Sequence, residues 1–545
     1  VTADFSDFDA ELTKRAFLRG SVGLGAGGAL AGTGIGRSRA GGAWGSSEHT
    51  NPRFETPGSP SRAAYRALAV VERDVGERSG ELAFDRTANA VDYLGLGPDT
   101  PVDDALERAD AAGDLDGIRL DFPPGIYRIS DGLDISPERT FGIVGPEATF
   151  RLDSGVRCEL NFHLSRGLFA GITLDQRADR AAVSVLLNAD DHIDARDLTY
   201  RGPVEAVDDD QKALVRPVAA NRKASVRIDG LRAVGGTNAG SHAWVGSDPP
   251  PGHIAGGVPG AFVGSANEGI VQFVDAELRG WENGLYASRT PGAVQVVGGR
   301  FVNNNNTGVR ISGAQSFCDG ATIVLDARRW PDDRPGRFTI GEIQGVSAAR
   351  SETGRLNKQG ARFRNLDVRG YAMETCPGLV VFWGSAGTGN VTNCRLRTDI
   401  DGAPAIRVRA PGVGPHGASS GKQAVRMGHI EILGNMTNAP AVHGTEDRPN
   451  SVLANSCVRI PNAGPDDIRN VETRNVGYGD ACTASQGLDG RVGAPNEVPS
   501  IRNETVDPPS PGPGLPGFGL FVALGAAVAL SMATLLPALL ERIRQ

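Results

Sequence analysis

Two clusters of acidic residues are the first places in this chain where side-chain types could do chemistry. Asp190 and Asp191 are adjacent, with Asp194 and Asp197 close behind, and Asp208, Asp209 and Asp210 form a second run. Paired carboxylates perform general acid and base work on a glycosidic bond, or hold calcium beside a uronate, when their side chains converge. Aspartates also end strands and cap turns, so adjacency alone does not place two carboxylates on one substrate. A second group is aromatic and basic. Trp244 stands with His242 and His253, Trp330 follows Arg328 and Arg329, and His416 lies in a third stretch of similar composition. A Trp face with nearby hydrogen-bond donors is a common way to hold a sugar ring, which makes Trp244, His253 and Trp330 candidate ligand contacts. The same aromatics serve equally to pin a long loop to its scaffold. No P-loop, nucleophile elbow, HExxH motif or CxxC pair occurs, so no cofactor and no zinc site is expected.

Short strands are the elements that must position these residues. From Thr149 onward apolar residues alternate in brief runs, such as Val183, Val185, Leu187 and then Ile193, Ala195, a period of two. An internal repeat adds topology. Residues 270–288 (IVQFVDAELRGWENGLYAS) are echoed by 293–312, which aligns Val271 with Val294, Leu278 with Phe301 and Leu285 with Val309 at an offset of 23 or 24. That period suits one coil of a parallel β-helix, with like side chains stacked on the coil above. Related phrases recur at 225–236, 361–370 and 390–399. With 74 glycines, 40% hydrophobic and only 6% aromatic residues in 545, the composition fits many strands joined by tight corners better than several globular domains. Residues 235–269, 327–360 and 410–427 break the rhythm and read as insertions, where binding function on a rigid scaffold usually resides. Asn303 to Asn306 read as a corner whose amides stack in a ladder.

Near the start of this pattern, residues 120–130 (LDFPPGIYRIS) carry a strand into Pro123-Pro124-Gly125 and out again, a strand, corner, strand unit. The block from Asn89 to Ile129, with AVDYLGLGPD, the helical PVDDALERADAAG and IRLDFPPGIYRI, resembles the opening of the pectate-lyase-like superfamily of right-handed parallel β-helices. The resemblance implies a solenoid over 120–485, with residues 86–119 as an amino-terminal cap built on the helix near Val102. Polygalacturonases of that superfamily carry paired aspartates, a Gly-His-Gly and an Arg-Ile-Lys motif. Here Asp190-Asp191 gives the first in part, Gly428-His429 lacks the second glycine, and no Arg-Ile-Lys occurs, so that mechanism is not carried over.

Formal charge is −8, which gives no attraction to phosphate backbones, and nucleic acid is not an expected partner. Six dispersed cysteines favour disulfides in an exported chain and allow fifteen pairings; Cys457 with Cys482, 25 residues apart, and Cys376 with Cys394 are the expected neighbours. Asn305, Asn390, Asn435 and Asn503 stand in N-x-S/T context as glycan acceptors.

The two ends read as address labels. Residues 13–19 (TKRAFLR) before a Gly/Ala run resemble a twin-arginine export signal in Lys14, Arg15, Phe17 and Leu18, with lysine in place of the first arginine. Residues 1–40 are then the signal and 41–85 a low-order segment. After a Pro-rich stalk over 486–516, Phe518 to Leu540 runs 23 residues without charge and is followed by ERIRQ. A helix of that length reaches about 35 Å, enough for the roughly 30 Å hydrocarbon core. Pro516, Gly517 and Phe518 beside that helix resemble the archaeal PGF carboxy-terminal sorting signal, in which an archaeosortase removes the helix and a lipid anchors the new end. The expected protein is thus all-β, a right-handed parallel β-helix with a cap helix and, over 517–545, a carboxy-terminal transmembrane helix. Its expected place is the outer face of the cell membrane, reached through the export translocon and an archaeosortase-like enzyme. There it acts as a non-catalytic carbohydrate- or partner-binding module, a polysaccharide or a surface layer being the partner. The alternative is an extracellular polysaccharide lyase or glycoside hydrolase, with Asp190 and Asp191 as catalytic candidates and calcium admitted only in the lyase case.

Overall fold

In the computed structural model the strand–corner–strand unit around Pro123-Pro124 is formed by Ile118–Asp121 and Gly125–Ile129, with the Tyr127 hydroxyl donating to the Pro123 carbonyl at 2.7 Å. The structure describes residues 82–495 apart from 138–139, 206–212, 239–257, 289, 305, 327, 329–346, 352–359, 374–375 and 412–422. All elements below belong to the unit that begins at Phe84.

Strands pair in parallel from coil to coil, and apart from the separate short pair Val204–Glu205 with Thr237–Asn238 the pairings among the described residues fall into three ladders. Sheet I begins with Arg86–Asn89 on Ile118–Asp121, sheet II with Gly125–Ile129 on Ala148–Leu152, and sheet III with Leu133–Ile135 on the first half of Arg157–Ala170. The chain visits sheets I, II and III in turn and repeats, which makes it a right-handed parallel β-helix. The echo read from the sequence is the actual register: Val271 sits on Val294, Leu278 on Phe301 and Leu285 on Val309. One inward row runs Leu278, Phe301, Ile323, Val368, Leu396, and every member is buried. Each such side chain removed from water stabilises the stack by about 1.5–3 kcal/mol.

The first rung, Arg86–Asn89, lies ahead of the expected solenoid start at residue 120. The helix Val102–Ala111 does close the amino-terminal edge, and its chemistry shows how. Asp103 is fully buried and accepts from the amides of Ser130 and Asp131, Glu107 accepts from Asp134, and Asp110 accepts from Ser136. Carboxylates at i, i+4 and i+7 share one helix face, so that face satisfies the N–H groups along the Leu133–Ile135 edge.

The corner between sheets I and II holds a residue with positive φ in every coil from Gly171 on, including Asp197, Asp275, Gly298 (followed by Gly299), Gly320, Asn365, Asn393, His429, Asn455 and Asn475. Gly, Asn and Asp tolerate this left-handed conformation best. Amides bridge successive coils here: Asn365 donates to Asp319 at 2.5 Å, Asn393 to Asn365 at 2.7 Å and Asn475 to Asn455 at 2.8 Å. Of the Asn303 to Asn306 run, expected to be such a ladder, the described Asn303, Asn304 and Asn306 lie on the corner from sheet II to sheet III, away from this one. Asn303 accepts from the Asp326 amide and Asn304 from the Trp281 amide, so main-chain donors take up their side chains.

After its last rung, Glu472–Tyr478, the chain turns back along this corner. Gly487 donates to the Asn455 carbonyl, Asp489 to the Asn393 side chain, and Gly493 to the Asn365 carbonyl. Pro495 then lies where Gly298 and Gly320 leave room; a Cβ on Gly320 would come within 2.0 Å of its nitrogen. Residues 482–495 thus form a strap across successive coils, fastened at its start by the Cys457–Cys482 disulfide with Cα atoms 5.7 Å apart. The rung partner of Cys457 is Gly477, and Cys482 reaches it by folding under that side-chain-free position. The second expected pair does not form. Cys376 and Cys394 are buried free thiols, pushed up to about 12 by burial, with the Cys394 Sγ directed at the Thr392 carbonyl. Cys376 precedes a sheet III strand and Cys394 opens a sheet II stretch, so their spacing is less than a coil and they do not stack.

Among the described residues no helix is long and apolar enough to cross a membrane; the Phe518 to Leu540 span lies outside them. The three insertions contain rungs: Ala261–Phe262 and Ser347–Ser351 belong to sheet III, and Val425 opens a sheet I strand. Gly- and Pro-rich flanks concealed rungs of two to five residues.

Candidate functional site

Outward residues of sheet III form register rows along the solenoid, one side chain per coil at about 4.8 Å spacing. One row includes Phe262, Tyr286 and Arg310 and, further along, Val381, Arg407, His443 and Arg469. It is aromatic at one end and basic at the other. At the basic end the corners leading from sheet III to sheet I open into a groove of about 580 Å³ lined by Trp383, Gly384, Ser385, Arg407 to Ala410, His443 to Thr445 and Asn470. That volume falls in the roughly 300–1,000 Å³ range of ligand sites.

The groove is built by local sequence. Ile406–Val408 alternates inward and outward, which turns Arg407 out between buried Ile406 and Val408. Arg409 begins the corner, and its guanidinium lies over the Trp383 ring with 3.8 Å to the centroid. The cation thus covers one face of the ring, and both side chains line the groove, one hydrogen-bonding and one aromatic. The Arg409 Nε is buried without a hydrogen-bond partner. Burial, with the neighbouring Arg407 charge, holds the Arg409 guanidinium below its ordinary range. His443 is likewise held down, first by burial and then by Arg407 and Arg469. Among the described residues no Asp or Glu lines the groove; Asp447, on the same corner, accepts from the Thr445 hydroxyl. The surface therefore offers donors and positive charge to an anion carrying a flat, partly apolar body.

Asp190 and Asp191 are exposed, at the corner where the long strand Ala182–Arg196 passes from sheet III to sheet I. Asp191 pairs with Arg166 of the preceding coil at 3.4 Å, and the Asp190 carbonyl accepts from Asn221 of the next. Asp194 is buried and paired with Arg196. These aspartates are engaged along the solenoid and are not among the residues that line the groove. Trp244, His253, Trp330, Asn305, Asn503, Lys14, Arg15, Phe17, Leu18, Pro516, Gly517 and Phe518 lie outside the described residues. Asn390 and Asn435 are exposed. No cluster of metal-ligating side chains occurs among the described residues. Trp383, Arg407, Arg409, His443 and Asn470 were not singled out in the sequence, because their chemistry arises from four successive coils meeting at one corner.

Fold and groove together define a parallel β-helix protein with a cationic, aromatic groove on one corner. No protein-family model matches the chain, and no curated protein matches it. Solved structures with some likeness include the Streptococcus pneumoniae surface protein and adhesin PfbA, at 12% identity over 73% of this chain and 98% of that one, with a TM-score of 0.40. The A-module of the Azotobacter vinelandii mannuronan C-5 epimerase AlgE6 follows at 13% identity, 72% and 98% coverage and a TM-score of 0.37. The AlgE4 A-module gives 13%, 74%, 100% and 0.33. At such values the likeness carries no argument about activity, and the β-helix assignment stands on the strand pairings.

Proposed function

We propose that this protein is an exported, surface-anchored β-helix module that binds an acidic carbohydrate in the Trp383–Arg409 groove. The observation that carries the reading is the stack of Arg409 on Trp383 beside Arg407 and His443, with no carboxylate lining the groove among the described residues. A uronate polymer matches it in both respects, with an apolar ring face for Trp383 and a carboxylate for the arginines. Export through the translocon and anchoring after archaeosortase-like processing rest on Lys14-Arg15 and on Pro516-Gly517-Phe518 beside the uncharged span. A polysaccharide or surface-layer partner suits a module held at the cell face. Titration of purified residues 82–495 with oligogalacturonate and with a neutral oligosaccharide of equal length tests the binding: preference for the acidic chain, lost with Arg407→Ala/Arg409→Ala, is expected. Equal binding of both chains, or of neither, overturns it.

A second reading, polysaccharide lyase, is favoured by one observation. His443 is held toward its neutral form among arginines, as a base that removes a proton beside a neutralised carboxylate must be. Incubation with polyuronates decides between them: absorbance from unsaturated uronate products supports the lyase, and unchanged chain length supports the binding module.

A further inference from the structure

Arg448 is 1% exposed, and no carboxylate is among its hydrogen-bond partners. A guanidinium has five N–H donors. All of them go to main-chain carbonyls: Nε to Arg409 at 2.7 Å, Nη1 to Gly387 at 2.9 Å and Gln423 at 3.0 Å, Nη2 to Trp383 at 3.0 Å and Ala386 at 2.7 Å. Those carbonyls belong to the sheet III to sheet I corners of two successive coils, and Arg448 itself stands on the third. Its own main chain is tied down as well, its amide donating to Thr445 and its carbonyl accepting from the Ser451 hydroxyl. A neutral side chain of similar reach could not satisfy five converging acceptors, and lysine has three donors rather than five.

Two of the acceptors are the main chain of Trp383 and Arg409, whose side chains make the groove's stacked surface. We propose that Arg448 is the positioning residue of this groove: it fixes the path of residues 383–387 and the start of the corner at 409, and so holds the Trp383 ring against the Arg409 guanidinium. Burial lowers the Arg448 pKa to about 10, and the group stays protonated at neutral pH. It therefore also places a permanent positive charge behind the groove without touching the ligand. The effect on affinity rests on the acidic-carbohydrate reading; the effect on Trp383 does not.

The experiment uses the full chain labelled with fluorotryptophan, with the Trp383 resonance assigned through Trp383→Phe. In Arg448→Ala the Trp383 resonance should shift or broaden while Trp281, buried in the core, keeps its own. Oligogalacturonate affinity should fall about tenfold or more. Millimolar methylguanidinium, far below denaturing levels, should restore both readouts. If Arg448→Ala does not fold, Arg448→Lys is read by the same resonance. An unchanged Trp383 resonance in whichever variant folds overturns the proposal. A shifted Trp383 resonance in a protein whose wild type ignores oligogalacturonate upholds the positioning role and sinks the carbohydrate reading instead.

Discussion

Charges on the amino-terminal coils and charges around the groove are arranged in opposite ways. On the former, acid and base alternate at i and i+2 along one strand: Arg119 with Asp121, Asp175 with Arg177, Asp194 with Arg196, Arg227 with Asp229. Residues two apart face the same side of a strand, so each pair neutralises itself within its own rung. Asp175 shows the result, its carboxyl held below the usual range chiefly by the Arg177 hydrogen bond. Around the groove the basic groups stack from rung to rung, Arg407, His443 and Arg469, with Arg409 beside them, and among the described residues no lining carboxylate answers them. Pairing along a strand makes an inert outer wall. Stacking of one sign across strands makes a site, and a formal charge of −8 for the whole chain conceals it.

The largest expected effect comes from breaking the groove side of this contrast. Arg407→Ala/Arg409→Ala should weaken oligogalacturonate binding by about 100-fold, two charge-assisted contacts being worth roughly 3 kcal/mol together. Arg196→Ala, of the self-paired kind, should leave affinity within about twofold, as calorimetry of both variants would reveal. Comparable losses in the two would mean that any surface arginine serves.

Fastening of the end coils comes next. Cys482→Ser should destabilise the last rungs by roughly 3 kcal/mol on the loop-entropy account, seen as faster amide exchange over 452–478 with sheet I near Ile270 unaffected. Uniform exchange in both regions would show that the strap does not act locally.

Glu282 tests a carboxylate that burial has overruled. Its pKa is pushed up to about 7 by burial, against the opposing pull of Arg310. A folded pKa above the unfolded 4.5 contributes stability that is complete below that value and lost as pH rises through about 7. Glu282→Gln should therefore melt like the wild type at pH 4.5 and at a higher temperature at pH 8. Melting curves that stay parallel at both pH values would remove the burial argument.

Smaller is the pH dependence of binding. His443 sits below its ordinary 6.5, and a bound anion raises it, so affinity should increase a few-fold as pH falls through that range and be flat above it. His443→Gln should abolish the slope. Smallest of all, Asp190→Asn/Asp191→Asn should shift stability by within about 0.5 kcal/mol, measured by thermal melting, and leave affinity unchanged.

The sequence by itself determined the solenoid. Strand period, proline corner and the 270–312 echo are local statements about which residues stack, and one coil's register propagates to its neighbours, so Val271 on Val294 is legible in the sequence. It determined the left-handed corners only as a preference, since Asn and Gly occur at many positions and the coil alone selects which take positive φ. Cys457–Cys482 was legible as a pair from its 25-residue spacing, but the back-turn that brings Cys482 beneath Gly477 has no period to announce it. The groove was decided by tertiary structure alone. Within the solenoid Arg-x-Arg occurs at 362–364, 395–397 and 407–409, yet Arg364, Arg395 and Arg397 find Asp319, Glu431 and Asp399, whereas Arg407 and Arg409 meet Trp383, His443 and Asn470. Which charge opposes which is set by coil length and corner path, and those depend on contacts as remote as Arg448 to Trp383, 65 residues apart.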